Sequence, residues 1–496
     1  MDRSTGVNRR KFIKQVIYGG LGATTFLNGP ALFAKHKKSP TNVLFIIADD
    51  LRPQLGCYGE KQMVTPNIDR LASQGIVFEH AYCQQALCAP SRASMLSGLR
   101  PDATGVHGLK TRLSDTLPDH ITLPRYFKEN GYETLSLGKV YHNTGDDPKA
   151  WSIKPLRIKS PLYATGPGLQ SVQENRKLHP DLKWPFGVPT EIAAGPDNSY
   201  NDGRLTDQVV AELNRVKDRP FFLFAGYSKP HLPFNAPRKY WDMYDPGKIK
   251  LPANPFPPKG ITPYTQGDYA ELRLFYGIPT APNPVPEEQA RHLLHGYYAC
   301  VSFLDAQVGR LLAELDRLKL RENTIVLLWG DNGLKLGEHG SWSKSTNFEI
   351  DTRVPLIVSA PGLGSAGKHT TALVESIDIY PTLCELCGLK SPAPVCQGTS
   401  FAPLLSHPDR TFKKAAYSQY PRYLTPRIMG YSVRTERYRY TEWRNVASGQ
   451  VLARELYDHL VDPGENINIA GFPAYVAAII ELEQILKHQN FSRGKY

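Results

Sequence analysis

Cys88 stands in the run Ala86-Leu87-Cys88-Ala89-Pro90-Ser91-Arg92-Ala93-Ser94-Met95-Leu96-Ser97-Gly98, and its neighbours define what it could do. Pro90 can open a helix. That places Cys88 just ahead of the helix, with Ser91 and Arg92 on its first turn. A helix N-terminus presents free N–H groups and positive dipole. The run therefore sets a sulfur, or a group made from it, where an anion binds. Taken alone, Cys88 also reads as a small buried packing residue, because thiol reactivity needs an electropositive, partly exposed setting.

Acidic residues supply a second cluster. The apolar run Asn42–Ala48 ends abruptly in Asp49-Asp50, and Thr324–Gly330 ends in Asp331-Asn332-Gly333. Continuous apolar runs of this length are the pattern of strands buried on both faces of a parallel sheet. In such sheets ligands bind beyond the carboxyl ends of the strands. Three carboxylates and one amide oxygen gathered there repel one another without a cation, and oxygen-only ligands suit calcium or magnesium. Either pair alone also reads as a turn or a helix cap. Two pairs at equivalent strand ends favour a metal site.

Basic residues form a third layer. Gly138-Lys139-Val140-Tyr141-His142 follows the predicted strand Thr134–Leu137, and Lys229-Pro230-His231-Leu232-Pro233 follows the predicted strand Pro220–Ala225. Trp342-Ser343-Lys344 comes shortly after the Asp331 loop. Singly, each lysine reads as a solvated charge and each histidine as a satisfied polar group. Together they would surround an anion with the usual proton donors and acceptors of hydrolysis.

These residues need a frame. The 496 residues exceed one ordinary domain, and 41% hydrophobic with 21% charged residues is a globular composition. Strands at 42–48, 220–225, 324–330 and 354–359 alternate with helical patterns at 67–74, 122–130, 202–217 and 287–319. That alternation predicts a large α/β domain with a mostly parallel sheet. Residues 145–200 and 228–285 are rich in Pro, Gly, Asn and aromatics with little periodicity, and read as long ordered insertions that shape a binding site. Beyond about residue 400, short alternating segments at 429–434, 438–443 and 455–457, then a helix at 472–488, predict a small C-terminal α+β subdomain with an antiparallel sheet. The expected division is 1–34, 40–390 and 391–496.

The N-terminal segment Asn8-Arg9-Arg10-Lys11-Phe12-Ile13-Lys14, followed by the apolar stretch 16–27, reads as a twin-arginine export signal ending near Ala31 or Ala34. A periplasmic or secreted protein is expected, with no transmembrane helix in the mature chain. Of the net charge of +12, +4 lies in residues 1–34, leaving a mildly basic body of +8. That suits an anionic partner, but no basic block with interleaved aromatics points to nucleic acid. Seven cysteines flag one outside any disulfide. Cys384 and Cys387 have redox-motif spacing, yet lie in the amphipathic segment 377–389 and read as core packing.

Cys88-Ala89-Pro90-Ser91-Arg92 followed by Leu96-Ser97-Gly98 resembles the signature of the type I, formylglycine-dependent sulfatases. The wording elsewhere is similar to the iduronate-2-sulfatase branch: Ala48-Asp49-Asp50-Leu51-Arg52-Pro53, Gly56-Cys57-Tyr58-Gly59, Gly138-Lys139-Val140, Lys229-Pro230-His231 and Leu336-Gly337-Glu338-His339-Gly340. The resemblance runs from about 42 to 390 and more weakly into Glu455–Asp458. It implies an alkaline-phosphatase-like large domain. It also implies conversion of Cys88 to formylglycine (3-oxoalanine) by a formylglycine-generating enzyme before export. One calcium ion would be held by Asp49, Asp50, Asp331, Asn332 and modified Cys88. Arg92 would hold the formylglycine, Lys139 and His142 would sit beside it, and His231 and Lys344 near the ester oxygen. Some iduronate-2-sulfatases carry histidine where this chain has Asn332, which bears on substrate identity rather than on metal binding.

The expected reaction is hydrolysis of a sulfate ester on a sulfated oligosaccharide or polysaccharide fragment, by resemblance a 2-O-sulfated uronic acid. The hydrate of the aldehyde attacks sulfur, and the second hydroxyl then expels sulfate. Two alternatives stay open: a phosphate or phosphonate ester hydrolase on the same scaffold, or an inactive exported glycan-binding protein. A cysteine phosphatase is disfavoured, since the arginine here stands only four residues after the cysteine.

Overall fold

The computed structural model describes residues 41–491 apart from 144, 159–160, 183–185, 267–270, 281–283, 391, 393–395 and 490. The N-terminal signal reading falls outside these residues. Among them, no helix is long and apolar enough to cross a membrane. Pro40–Tyr496 forms one compact unit.

Among the described residues thirteen strands build the frame: β1 (Asn42–Asp49), β2 (Ile76–Tyr82), β3 (Glu133–Gly138), β4 (Thr190–Ala193), β5 (Phe221–Pro230), β6 (Phe234–Pro237), β7 (Thr324–Gly330), β8 (Leu356–Ser359), β9 (Lys368–Glu375), β10 (Ala416–Arg422), β11 (Ile428–Arg434), β12 (Tyr438–Asn445) and β13 (Val451–Asp458). The main sheet has the order β3-β5-β1-β7-β8-β2-β9. β1 pairs parallel with β5 and β7, and β3 with β5, so four neighbouring strands end on one edge. β8 is the exception, antiparallel to both β7 and β2.

β1 shows why its run is apolar throughout. Leu44, Ile46 and Ala48 enter one core layer, with the Glu287–Arg317 and Asn201–Val216 helices. Val43, Phe45 and Ile47 enter the other, with the Cys88–Ser97 and Ile379–Leu386 helices. Every one of these side chains is fully buried. At about 2 kcal/mol for each buried Leu, Ile or Phe, this double-faced burial fixes the strand ends from which the acids project.

Beyond it, β10 to β13 form a four-stranded sheet in sequential order, antiparallel throughout and covered by the Val476–His488 helix. The fold class is therefore α/β with a mostly parallel sheet and a small antiparallel sheet in the C-terminal region. The insertions prove more regular than their composition predicts. Gly166–Leu178 is a helix capped by Thr165, and β4 pairs parallel with β6. That helix buries only Gly168, Ser171 and Asn175, so it carries no apolar stripe to announce it.

Candidate active site

The Cys88–Ser97 helix begins at Cys88 itself, two residues before Pro90, with Leu87 as the extended N-cap residue. Cys88 therefore occupies the first helical position, and the helix is buried along its whole length. Cys88 is 2% exposed. Burial, followed by the Asp49 charge, pushes its thiol well above the ordinary range. An unmodified thiol there stays protonated and is a poor nucleophile.

Arg92, one turn on, is fully buried and joins the acidic strand ends. Its Nε donates to Asp331 Oδ2 at 2.8 Å and one Nη to Asp49 Oδ1 at 3.1 Å. The other Nη donates to the carbonyls of Lys139 and Val140. Asp50 turns back with φ 60°. In this left-handed conformation, which Asp tolerates better than most residues, its N–H donates to Asp331 Oδ1 at 3.0 Å. Asp49, Asp50 and Asp331 each offer an oxygen within 4.8 Å of the others.

Two lysines and a histidine crowd this group. Lys139 Nζ donates to Asp49 Oδ2. Lys344 Nζ spans Asp50, at 2.7 Å from Oδ1 and 2.6 Å from Oδ2. His231 Nε2 lies 3.7 Å from Asp50 Oδ2, while its Nδ1 bonds the Leu232 carbonyl at 2.7 Å. Lys139 reaches the site because two glycines let β3 and β5 close up at their ends. A Cβ on Gly138 would fall 2.1 Å from Gly226 O, and one on Gly226 would fall 2.3 Å from Lys139 O.

The carboxylates respond unequally. Asp331 is pushed up to about 6 by burial and by the neighbouring Asp49 and Asp50, against the pull of Arg92. Asp49 stays well below the usual range, because Lys139, His231 and Arg92 together outweigh its burial. Asn332 Nδ2 donates to Asp50 Oδ1 at 2.7 Å, whereas its Oδ1 is buried with no hydrogen-bond partner. Crowded carboxylates and an orphaned amide oxygen form a hard, oxygen-only donor set suited to a divalent cation.

His142 lies on the same edge. Burial first, then the Lys139 charge, lowers it to about 3, and its Nδ1 is buried without a partner. It is therefore a neutral imidazole across the physiological range.

All ten candidate residues converge on the carboxyl edge of β3, β5, β1 and β7. Two further residues join them that the sequence did not reveal. Glu271 Oε1 lies 3.3 Å from His231 Nε2 and its Oε2 lies 3.6 Å from Lys344 Nζ. Arg157 donates to the carbonyls of Tyr141 (2.5 Å) and His142 (3.1 Å). Both stand in the insertions, and no local pattern marks them. The cysteine pair is packing: Cys384 is fully buried in the core, Cys387 packs against it, and none of the seven cysteines is in a disulfide.

The family model described as Sulfatase matches residues 41–389, and that of the N-sulphoglucosamine sulphohydrolase C-terminal region matches 337–491. The chain is 36% identical to the iduronate 2-sulfatases of Mus musculus and Homo sapiens, over 86% of its own length and 90% of theirs. The solved structure of BT4656 in complex with its substrate D-glucosamine-2-N,6-O-disulfate superposes with a TM-score of 0.71 at 25% identity, covering 90% of this chain and 97% of that one. The phosphonate monoester hydrolase of Agrobacterium radiobacter reaches a TM-score of 0.72 at 22% identity, over 90% of this chain and 95% of its own, and so shares the fold. With the signature helix, the strand-end acids and the family match in agreement, this chain belongs to the sulfatase family and is a sulfuric ester hydrolase.

Proposed function

We propose that this protein removes 2-O-sulfate from a uronic acid residue of a sulfated glycan, using formylglycine at position 88 and one calcium ion. The observation that carries the chemistry is the placement of Cys88 at the first helical position, with a donor-atom separation from Asp49 and His231 of no more than 4.8 Å. The uronate assignment rests on the 36% identity to iduronate 2-sulfatases. Asp49, Asp50, Asp331 and the unpartnered Asn332 Oδ1 would hold the calcium ion beside residue 88. Bound there, the ion supplies positive charge toward a sulfate, and the hydrated aldehyde supplies the nucleophile.

The remaining roles follow from the hydrogen bonds. Arg92 braces Asp49 and Asp331 and fixes the cradle, since its Nε and both Nη atoms donate to a carboxylate or a carbonyl. Lys139 and Lys344 are the charges left to meet the sulfuryl oxygens, where transition-state charge grows. His142 can take a proton at its unpartnered Nδ1. His231 bonds a carbonyl through Nδ1, so that nitrogen carries the hydrogen; when the ring is protonated, Nε2 can hand its proton to the leaving alcohol. Glu271 faces that nitrogen and positions it.

The same reading takes residues 40–390 as the catalytic region, 391–496 as the C-terminal subdomain and 1–34 as an export signal. A formylglycine-generating enzyme acts before export. The test is sulfate release from a panel of defined sulfated disaccharides. The 2-O-sulfated uronate is expected to react at least about tenfold faster than any isomer, one tenfold step being about 1.4 kcal/mol of transition-state discrimination. Preferential release of 6-O-sulfate would overturn the uronate assignment.

A further inference from the structure

A crevice of about 700 Å³ begins where the reactive centre ends. Leu87, which precedes Cys88, and Ser345, which follows Lys344, both line it. The Ser345 N–H donates to the Ala86 carbonyl at 3.2 Å, so the two segments are stitched together at its floor. The outer wall is the turn between β10 and β11. Arg422 pins that turn, donating to Ser345 O at 3.0 Å and to Tyr264 O and Thr265 O at 2.8 Å each.

The charge of the lining is one-sided. Lys110, Arg422 and Arg427 contribute to it beside His107, and no aspartate or glutamate does. His107 is engaged by Asp102 at 2.8 Å, and Arg422 is spent on the carbonyls just named. Lys110 and Arg427 are exposed, and neither has an ion-pair partner among the described residues. Tyr423 stands beside them, 68% exposed, with its hydroxyl tied to the His107 carbonyl at 3.1 Å and the Arg427 guanidinium 5.6 Å from its ring centre. An exposed aromatic ring anchored through its hydroxyl and flanked by cations without an ion-pair partner is a surface for the face of a sugar and the anionic groups on its edge.

We propose that this crevice is the subsite for the sugar residue adjoining the one that bears the ester, and that Lys110 and Arg427 select neighbours carrying a sulfate or a carboxylate. This inference rests on the glycan reading above but not on the position of the ester. The site would thus act on fragments of two or more residues and read charge on the second.

The experiment compares 2-O-sulfated uronate disaccharides, and their 6-O- and 3-O-sulfated isomers, whose neighbouring glucosamine is either N-sulfated or N-acetylated. Both the wild type and Lys110→Ala/Arg427→Ala are assayed by sulfate release. In the wild type the N-sulfated neighbour is expected to give a kcat/KM at least tenfold higher, carried by KM. In the double variant that ratio is expected to fall to near one. A wild-type ratio near one, or an unchanged ratio in the variant, overturns the subsite. A preference for another ester position overturns only the uronate reading, and the ratio is then read on the preferred isomer. A neighbour carrying a carboxylate but no sulfate distinguishes carboxylate from sulfate recognition: a kcat/KM near that of the N-acetylated neighbour restricts the subsite to sulfate. Turnover of an aryl sulfate but of no disaccharide overturns both.

Discussion

Among the described residues, two buried ionic clusters contain three or more potential metal ligands, and they behave in opposite ways. One is the strand-end group of Asp49, Asp50 and Asp331; the other gathers Glu349, His459 and Glu465 beside the C-terminal sheet. In the second, Arg434 and Arg439 donate to Glu349 Oε2 at 3.0 and 2.5 Å, and Tyr82 donates to its Oε1 at 2.9 Å. Glu465 receives Arg439 at 2.8 Å and His459 at 3.0 Å. Burial opposes ionisation there, but the arginines outweigh it and Glu349 sits well below the usual range. Nothing is left for a metal to do.

At the strand ends, burial and like charges prevail at Asp331, and an amide oxygen goes unbonded. The contrast separates a cluster whose charges are already met from one arranged to receive charge. Ligand-type residues within reach of one another do not make a site; an unmet electrostatic demand does.

The sharpest way to break this contrast is at Cys88. Cys88→Ala is expected to lower sulfate release by at least about a thousandfold while the unfolding midpoint stays close to the wild type, because the nucleophile is lost and little volume changes. Next, Asp50→Asn takes away one carboxylate. It should cost on the order of a hundredfold in activity and weaken calcium binding. Glu349→Gln should do the reverse. It leaves Arg434 and Arg439 undercompensated and costs about 3 kcal/mol of stability by chemical denaturation, with kcat of the folded protein unchanged.

The smallest effect concerns His142. Its folded-state value of about 3 lies below the ordinary 6.5, so the stability it contributes is present above pH 6.5 and lost as pH falls from there toward 3. His142→Asn, which cannot charge, should flatten that part of the acid-unfolding curve. An unaltered curve would mean that the imidazole is not held neutral.

Much of this frame is legible in the sequence because it depends on local pattern. The runs that become β1 and β7 are without a charged or strongly polar residue after Asn42 and Thr324, and each ends at its acids. Other features depend on partners far along the chain. β8 is four residues long, and nothing in Leu356–Ser359 tells the direction in which it pairs. β10 escapes notice because it is polar and contains Pro421; it is buried by contacts such as Ser418 Oγ to Cys83 O at 2.6 Å. Glu271 is an ordinary acid in an aperiodic insertion until the fold sets it against His231 and Lys344. The residue types of the reactive centre are visible in the sequence, whereas the imbalance that makes Asp331 and Asn332 different from Glu349 and Glu465 exists only in three dimensions.

That imbalance is tested most directly by calorimetric titration of chelator-treated protein with calcium, comparing the wild type with Asp50→Asn and Glu349→Gln. One ion per chain is expected in the wild type and in Glu349→Gln, with strongly weakened binding in Asp50→Asn. No binding by the wild type, or binding lost with Glu349 and kept without Asp50, would contradict the account.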